Sequence, residues 1–158
     1  MEAFKKTWQF LLHKYPVLRS SFVWESTDTM SQVVHSHAEL PITELDWQHL
    51  SADEQQDALI AFLQEDRKQG FNLKKAPLMR LALAHLSTKS TQFILSHHHL
   101  LLDGWSMPLV MKDLMLTYER YARGKEPIME RITQYREYIR WLKAQDLGKA
   151  EVYWRESL

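Results

Sequence analysis

The chain has 158 residues, 45% of them apolar and 25% charged, which reads as one soluble globular domain with a real core. Twenty Lys and Arg balance 20 Asp and Glu, so net charge supplies no general pull toward nucleic acid or an anionic membrane. There is no cysteine, which excludes disulfides, thiolate catalysis and cysteine-based zinc sites.

The opening segment, MEAFKKTWQF, has neither an uninterrupted apolar core nor a small-residue cleavage site, so it is not expected to act as a signal peptide. Phe4, Trp8, Leu11, Leu12 and Tyr15 instead recur at helical spacing over residues 2–14, and Pro16 ends that helix. VLRSSFVW, 17–24, is rich in branched and aromatic residues and predicts a strand, and SQVVHSH, 31–37, a weaker one. LPITELDWQHL reads as an irregular connection. Ser51 and Glu54 fit a capping box opening a helix that carries Leu59, Phe62 and Leu63 and closes at Gly70. Residues 77–86 and 91–97 predict two strands joined by a hairpin-like STKS. Ser106 is expected to cap a helix with Pro108 in its first turn and Val110, Leu114, Tyr118 and Tyr121 on one face. Thr133 is expected to cap another, and Gly148 to break the chain before a last helix over 149–157. The tyrosines and tryptophans of 135–154 could form a partner surface. At helical spacing they fit a core better, or a face that packs on further structure. Helices interleave with strands, so the class is α/β or α+β. No run approaches the roughly 20 apolar residues of a membrane span, and a cytoplasmic protein is the default expectation. Helical patterns run to both ends, so the chain is expected to be part of something larger.

The stretch SHHHLLLDGWS, 96–106, carries three of the eight histidines. Three chemistries fit it. His97 and His99 share a strand face and, with Asp103, could offer three ligands to a metal, although the spacing is unspecific. Each histidine could instead be a hydrogen-bonded structural residue; this fits His13, His35, His37, His49 and His85 better than a run of three, because burying several imidazoles is costly. Or a neutral imidazole, held where a strand ends and a helix begins, could accept a proton from an amine or hydroxyl. Asp103 could orient that imidazole or pair with an arginine to hold the loop. Gly104 would permit a backbone conformation or close approach that a Cβ blocks.

HHLLLDG, His98 to Gly104, with Trp105 and Ser106 following, resembles the HHxxxDG signature of the condensation domains of nonribosomal peptide synthetases. KYPVLRSSF resembles the family's second motif, departing at Lys14, Tyr15 and Ser20 and keeping Leu18, Arg19 and Phe22. FNLKKAPLMRLAL and YIRWLKAQDLGKAEVYWRESL resemble further family segments, so the likeness spans nearly the whole chain in order. It implies an α+β two-layer sandwich: the N-terminal lobe of a chloramphenicol acetyltransferase-like fold, a mixed sheet flanked by helices. It further implies that residues 1–158 are a partial domain without its first strand and its C-terminal lobe. The implied activity is amide formation between carrier-bound thioesters. His99 would stand beside the acceptor amine and His98 would be its packing neighbour. Asp103 would be salt-bridged to Arg19, or failing that Arg80, while Gly104 would keep the loop near the substrate path and Trp105 support it. The implied partners are donor and acceptor carrier proteins, whose phosphopantetheine arms deliver the substrates, an adenylation domain and the second lobe. No metal or tightly held cofactor is implied. An ester-forming acyltransferase with the same motif and an inactive binding fragment are the alternatives.

Overall fold

The computed structural model describes residues 1–23, 31–130 and 132–158. Helix α1, Glu2–Lys14, carries the expected stripe, and Trp8, Leu11 and Leu12 are fully buried. Tyr15 is extended, as the residue before a proline prefers. The strand expected from residue 17 starts only at Ser20, because Pro16–Arg19 forms a 3-10 turn with proline in its first turn. Arg19 explains the delay. Its guanidinium donates to the carbonyls of Leu12 and His13, which the end of α1 leaves without helical partners, and to that of His35 at 3.0 Å. Strand β1, Ser20–Val23, pairs antiparallel with β2, Ser31–Val34, which is shorter than expected and exposed throughout. Trp24, the end of the expected first strand, lies outside the described residues.

The segment expected to be irregular contains a strand, β3, Ile42–Asp46. It pairs parallel to β4, Met79–His85, which pairs antiparallel with β5, Thr91–His97. Between β3 and β4 runs α2, Ala52–Gln69, and both halves of the Ser51–Glu54 capping box form. Gly70 ends α2 at φ +58°, a conformation that favours glycine.

The alternation of β4 divides its side chains between two helical layers. Met79, Leu81 and Leu83 join a core with Trp8, Leu11 and Leu12 of α1 and with Val110 and Leu114 of α3, Ser106–Ala122. Arg80 points the other way and binds Asp66 of α2 at 2.5 Å. The expected mixed sheet flanked by helices is thus what the chain forms, with helices on both faces of the three-stranded sheet.

Two further helices follow: α4, Tyr135–Lys143, and α5, Leu147–Ser157. Gln134, not Thr133, precedes α4, and no side chain caps it. Gly148 lies inside α5 rather than at a break; Asp146 starts that helix by accepting from the N–H groups of Gly148 and Lys149. The aromatic residues of these helices are not core. Tyr135, Tyr138 and Trp141 form an exposed row with ring centroids 5.7 and 5.8 Å apart. Among the described residues no helix is long and apolar enough to cross a membrane.

Candidate active site

The histidine run straddles the end of β5, and each of its members has a different environment. His97 is the last strand residue, paired in register with Met79. It is half-buried, with Nδ1 3.5 Å from the His98 carbonyl oxygen. His98 is fixed on several sides. Its N–H donates to Leu78 O at 2.9 Å, and its carbonyl accepts from Leu101 N at 3.0 Å. Its Nδ1 accepts from Leu100 N at 3.1 Å, so in this arrangement the ring proton resides on Nε2. The edge of the ring meets Phe71 nearly perpendicularly, centroids 6.4 Å apart.

His99 differs from both. It is exposed and has no hydrogen-bond or ion-pair partner among the described residues. It lines a cleft of about 710 Å³. Tyr15, Leu18 and Phe22 come to this cleft from the start of the chain, Leu109 from α3, and Ile139 and Lys143 from α4. The cleft is mainly apolar, with Asp103 as its carboxylate and Lys143 as its ammonium. Leu101 and Leu102, 5% and 4% exposed, root the loop beneath it in the core.

Asp103 holds the next turn by itself. One carboxylate oxygen accepts from Trp105 N at 3.1 Å, Ser106 N at 2.7 Å and Ser106 Oγ at 2.6 Å. These bonds from the Ser106 hydroxyl, the Ser106 N–H and the Trp105 N–H hold its carboxyl below the ordinary aspartate value. Asp103 therefore does the capping expected of Ser106, which is the first residue of α3 and gives its hydroxyl proton to Asp103. The expected ion pair with Arg19 or Arg80 does not form. Arg19 is committed to backbone carbonyls and Arg80 to Asp66 and the Gly70 carbonyl. A carboxylate already accepting three short-range donors has little need of a distant guanidinium.

At Gly104 φ is not positive, and a Cβ built there meets nothing within 4 Å, so the fold itself does not require glycine; the place expected for it near the substrate path concerns the substrate. Trp105 supports the turn through its N–H alone; its side chain is 88% exposed. Among the described residues no three His, Asp or Glu side chains converge on a metal position, so the His97–His99–Asp103 ligand set is not assembled.

Two carboxylates near the site escaped sequence reasoning. Asp66 reaches Ser96, 30 residues on, and Asp113 reaches Lys14, 99 residues back. Nothing in local spacing announces such contacts. Asp113 of α3 accepts from Lys14 Nζ and Tyr15 Oη, both at 2.6 Å. Burial raises the Tyr15 phenol well above its ordinary value, and the Asp113 carboxylate raises it further.

The model of the family described as "Condensation domain" matches residues 1–158. The chain is 42% identical over its full length to a linear gramicidin synthase protein of Brevibacillus parabrevis, and covers 3% of that protein. It is 34% identical, again over its full length, to a mycosubtilin synthase protein of Bacillus subtilis, and covers 6% of it. Its fold is similar to the starter condensation domain of rhizomide synthetase, with a TM-score of 0.83 over 99% of this chain and 40% of that one, at 22% identity. The chain belongs to the condensation domain family. The proteins it matches in sequence are very large synthases, of which it spans a few per cent.

Proposed function

We propose that this chain supplies the His99 wall of a condensation site that joins an acyl or aminoacyl thioester to an aminoacyl amine. The observation that carries this reading is the exposed, unpartnered imidazole of His99 on a cleft wall, bracketed by His98 and Asp103, both already tied to the backbone. The acceptor amine attacks the thioester carbonyl carbon, the C–N bond forms, and the C–S bond breaks. His99 accepts the proton that the nitrogen loses and returns it to the departing thiolate. General-base help of this kind is worth about 10²–10⁴-fold. The remaining acceleration comes from holding two reactants in line.

Both substrates are proposed to arrive on phosphopantetheine arms of carrier proteins, loaded by an adenylation domain, in keeping with the synthases the chain resembles. A second lobe is proposed to form the opposite wall of the cleft; the similar solved condensation domain extends well beyond the 40% matched here. The mainly apolar lining suits acyl groups rather than phosphorylated ones.

The test is condensation by the full-length polypeptide, offered a panel of aminoacyl N-acetylcysteamine thioesters as donors and acceptors, with product read by mass spectrometry. His99→Ala is expected to lower the rate about 10²–10⁴-fold. An unchanged rate removes His99 from the chemistry. The cleft also admits an alcohol acceptor, which makes an ester in the same way; parallel hydroxyacyl acceptors decide between the two products.

A further inference from the structure

On the face of the sheet opposite the main core, a chain of contacts leads from α2 to the histidine run. Asp66 stands at its centre, 13% exposed in its side chain. One of its oxygens accepts from Arg80 Nε at 2.5 Å, the other from Ser96 Oγ at 2.7 Å. Arg80 and Ser96 are register partners on β4 and β5, so a single carboxylate of α2 spans both strands at the end from which the histidines emerge. The rest of the Arg80 guanidinium donates to the carbonyls of Asp66 and Gly70, both at 2.6 Å. Its Cζ lies over Phe71, 4.3 Å from the ring centroid, and Phe71 in turn meets the His98 ring edge-on.

We propose that Asp66, acting through Arg80, Ser96 and Phe71, is the positioning residue that sets where His99 stands. This deepens the function proposed above and rests on it.

Three features favour positioning over mere packing. The clamp is bidentate in sense: the two oxygens hold different strands, so a shift of one strand against the other breaks a bond. The carboxylate stays ionised. Burial works to raise its pKa, but the hydrogen bonds from Arg80 and Ser96 and the charge of Arg80 outweigh burial and hold it below the ordinary value. Finally, the route ends on the one ring whose Nδ1 organises the turn that presents His99, through Leu100 N. Ser96 is three residues before His99 and His98 is adjacent, so a displacement of either passes to the imidazole with little slack. Loss of a positioning contact of this order costs up to about 10²-fold in rate.

The test uses the full-length polypeptide and the thioester panel under single-turnover conditions. Asp66→Asn keeps size but cannot accept at both oxygens. Phe71→Leu keeps bulk but removes the surface between Arg80 and His98. Ser96→Ala removes one arm, in case the first variant does not fold. Each is expected to lower the rate constant at saturating acceptor by about tenfold or more, with half-saturation for the acceptor little changed. In wild-type protein the nitrogen NMR signals of His98 should show a proton on Nε2, and in Asp66→Asn and Phe71→Leu that tautomer preference should weaken. His99→Ala is the control. If it abolishes turnover while folded Phe71→Leu and Ser96→Ala keep the wild-type rate and the His98 signature, the positioning role is overturned. If His99→Ala itself has no effect, the parent reading fails instead.

Discussion

The ion pair between α1 and α3 invites the most quantitative perturbation. Lys14 Nζ, on a side chain 7% exposed, lies 2.6 Å from Asp113, whose side chain is 18% exposed. Asp113→Ala strands that ammonium and the Tyr15 hydroxyl together. Breaking a buried pair from one side costs about 3–5 kcal/mol. Here the exposed carboxylate of Glu130, 3.7 Å from Lys14 Nζ, can take over part of the partnership. An expected loss of about 2–3 kcal/mol follows. For a chain of this length, that lowers the midpoint of thermal unfolding by about 4–12 °C.

The pH dependence has a definite sign. Burial tends to raise the Asp113 pKa, but the hydrogen bonds from Lys14 and Tyr15 and the Lys14 charge hold it below its ordinary value. Its folded pKa is depressed, so the stabilisation is fully present above the unfolded value near ~3.9 and fades as pH falls through the lower folded one. Circular dichroism melts of wild type and Asp113→Ala should diverge at neutral pH and converge in acid. The double variant Lys14→Met/Asp113→Leu should recover most of the loss, because apolar groups of similar volume replace a buried pair well. Equal midpoints at neutral pH, or a gap that persists in acid, would refute the pair's part in joining the helices.

Asp103→Asn retains an oxygen for the Trp105 and Ser106 donors and should keep most condensation activity, whereas Asp103→Ala should lower the rate by about tenfold or more through a loosened turn. Matched losses in the two variants would point to proton relay instead. Because bonding to Ser106 and Trp105 depresses the Asp103 pKa, the turn should hold at neutral pH and loosen as pH falls through that folded value. Amide exchange at Ser106, followed against pH, reads this directly. Gly104→Ala should leave the thermal midpoint nearly unchanged, within about 0.5 kcal/mol of stability, since the new methyl meets open space; a large destabilisation in the same melts would contradict the geometry.

The sequence carried information unevenly, for physical reasons. Elements with strong local rules were legible. The capping box fixes α2, the apolar stripe and Pro16 fix α1, and branched residues bounded by polar turns fix β5. β3 was not, because Thr43, Glu44 and Asp46 give no alternating apolar pattern, and Ile42–Asp46 forms only by pairing parallel to β4, whose register partners lie 39 residues on. The 3-10 turn at Pro16–Arg19 was hidden for a similar reason. The β-branched Val17 favours extension locally, but Arg19 is drawn back to the end of α1. In the site, the motif distinguished His99 from its neighbours. It could not say that Asp103 satisfies itself within three residues, nor that the arginines are occupied elsewhere. Pairings between distant side chains depend on which layer each helix joins.

What the structure adds is a reason for three consecutive histidines to be unequal. A loop is a poor place for precise chemistry unless its ends are fixed, because a free loop samples many positions of which few are productive. Here β5 is held at Ser96 by α2 and at His98 by backbone and ring contacts. Past His99 the chain is held again, by buried Leu101 and Leu102 and then by the Asp103 turn into α3. Between these anchors the His99 ring is exposed and makes no hydrogen bond among the described residues. An imidazole that spends its hydrogen bonds on the protein cannot accept a substrate proton, and one with no support is rarely in place. Anchoring on either side, with none at the ring itself, would meet both requirements of the role proposed for His99. The neighbours of His99 carry the polar commitments that leave it without one.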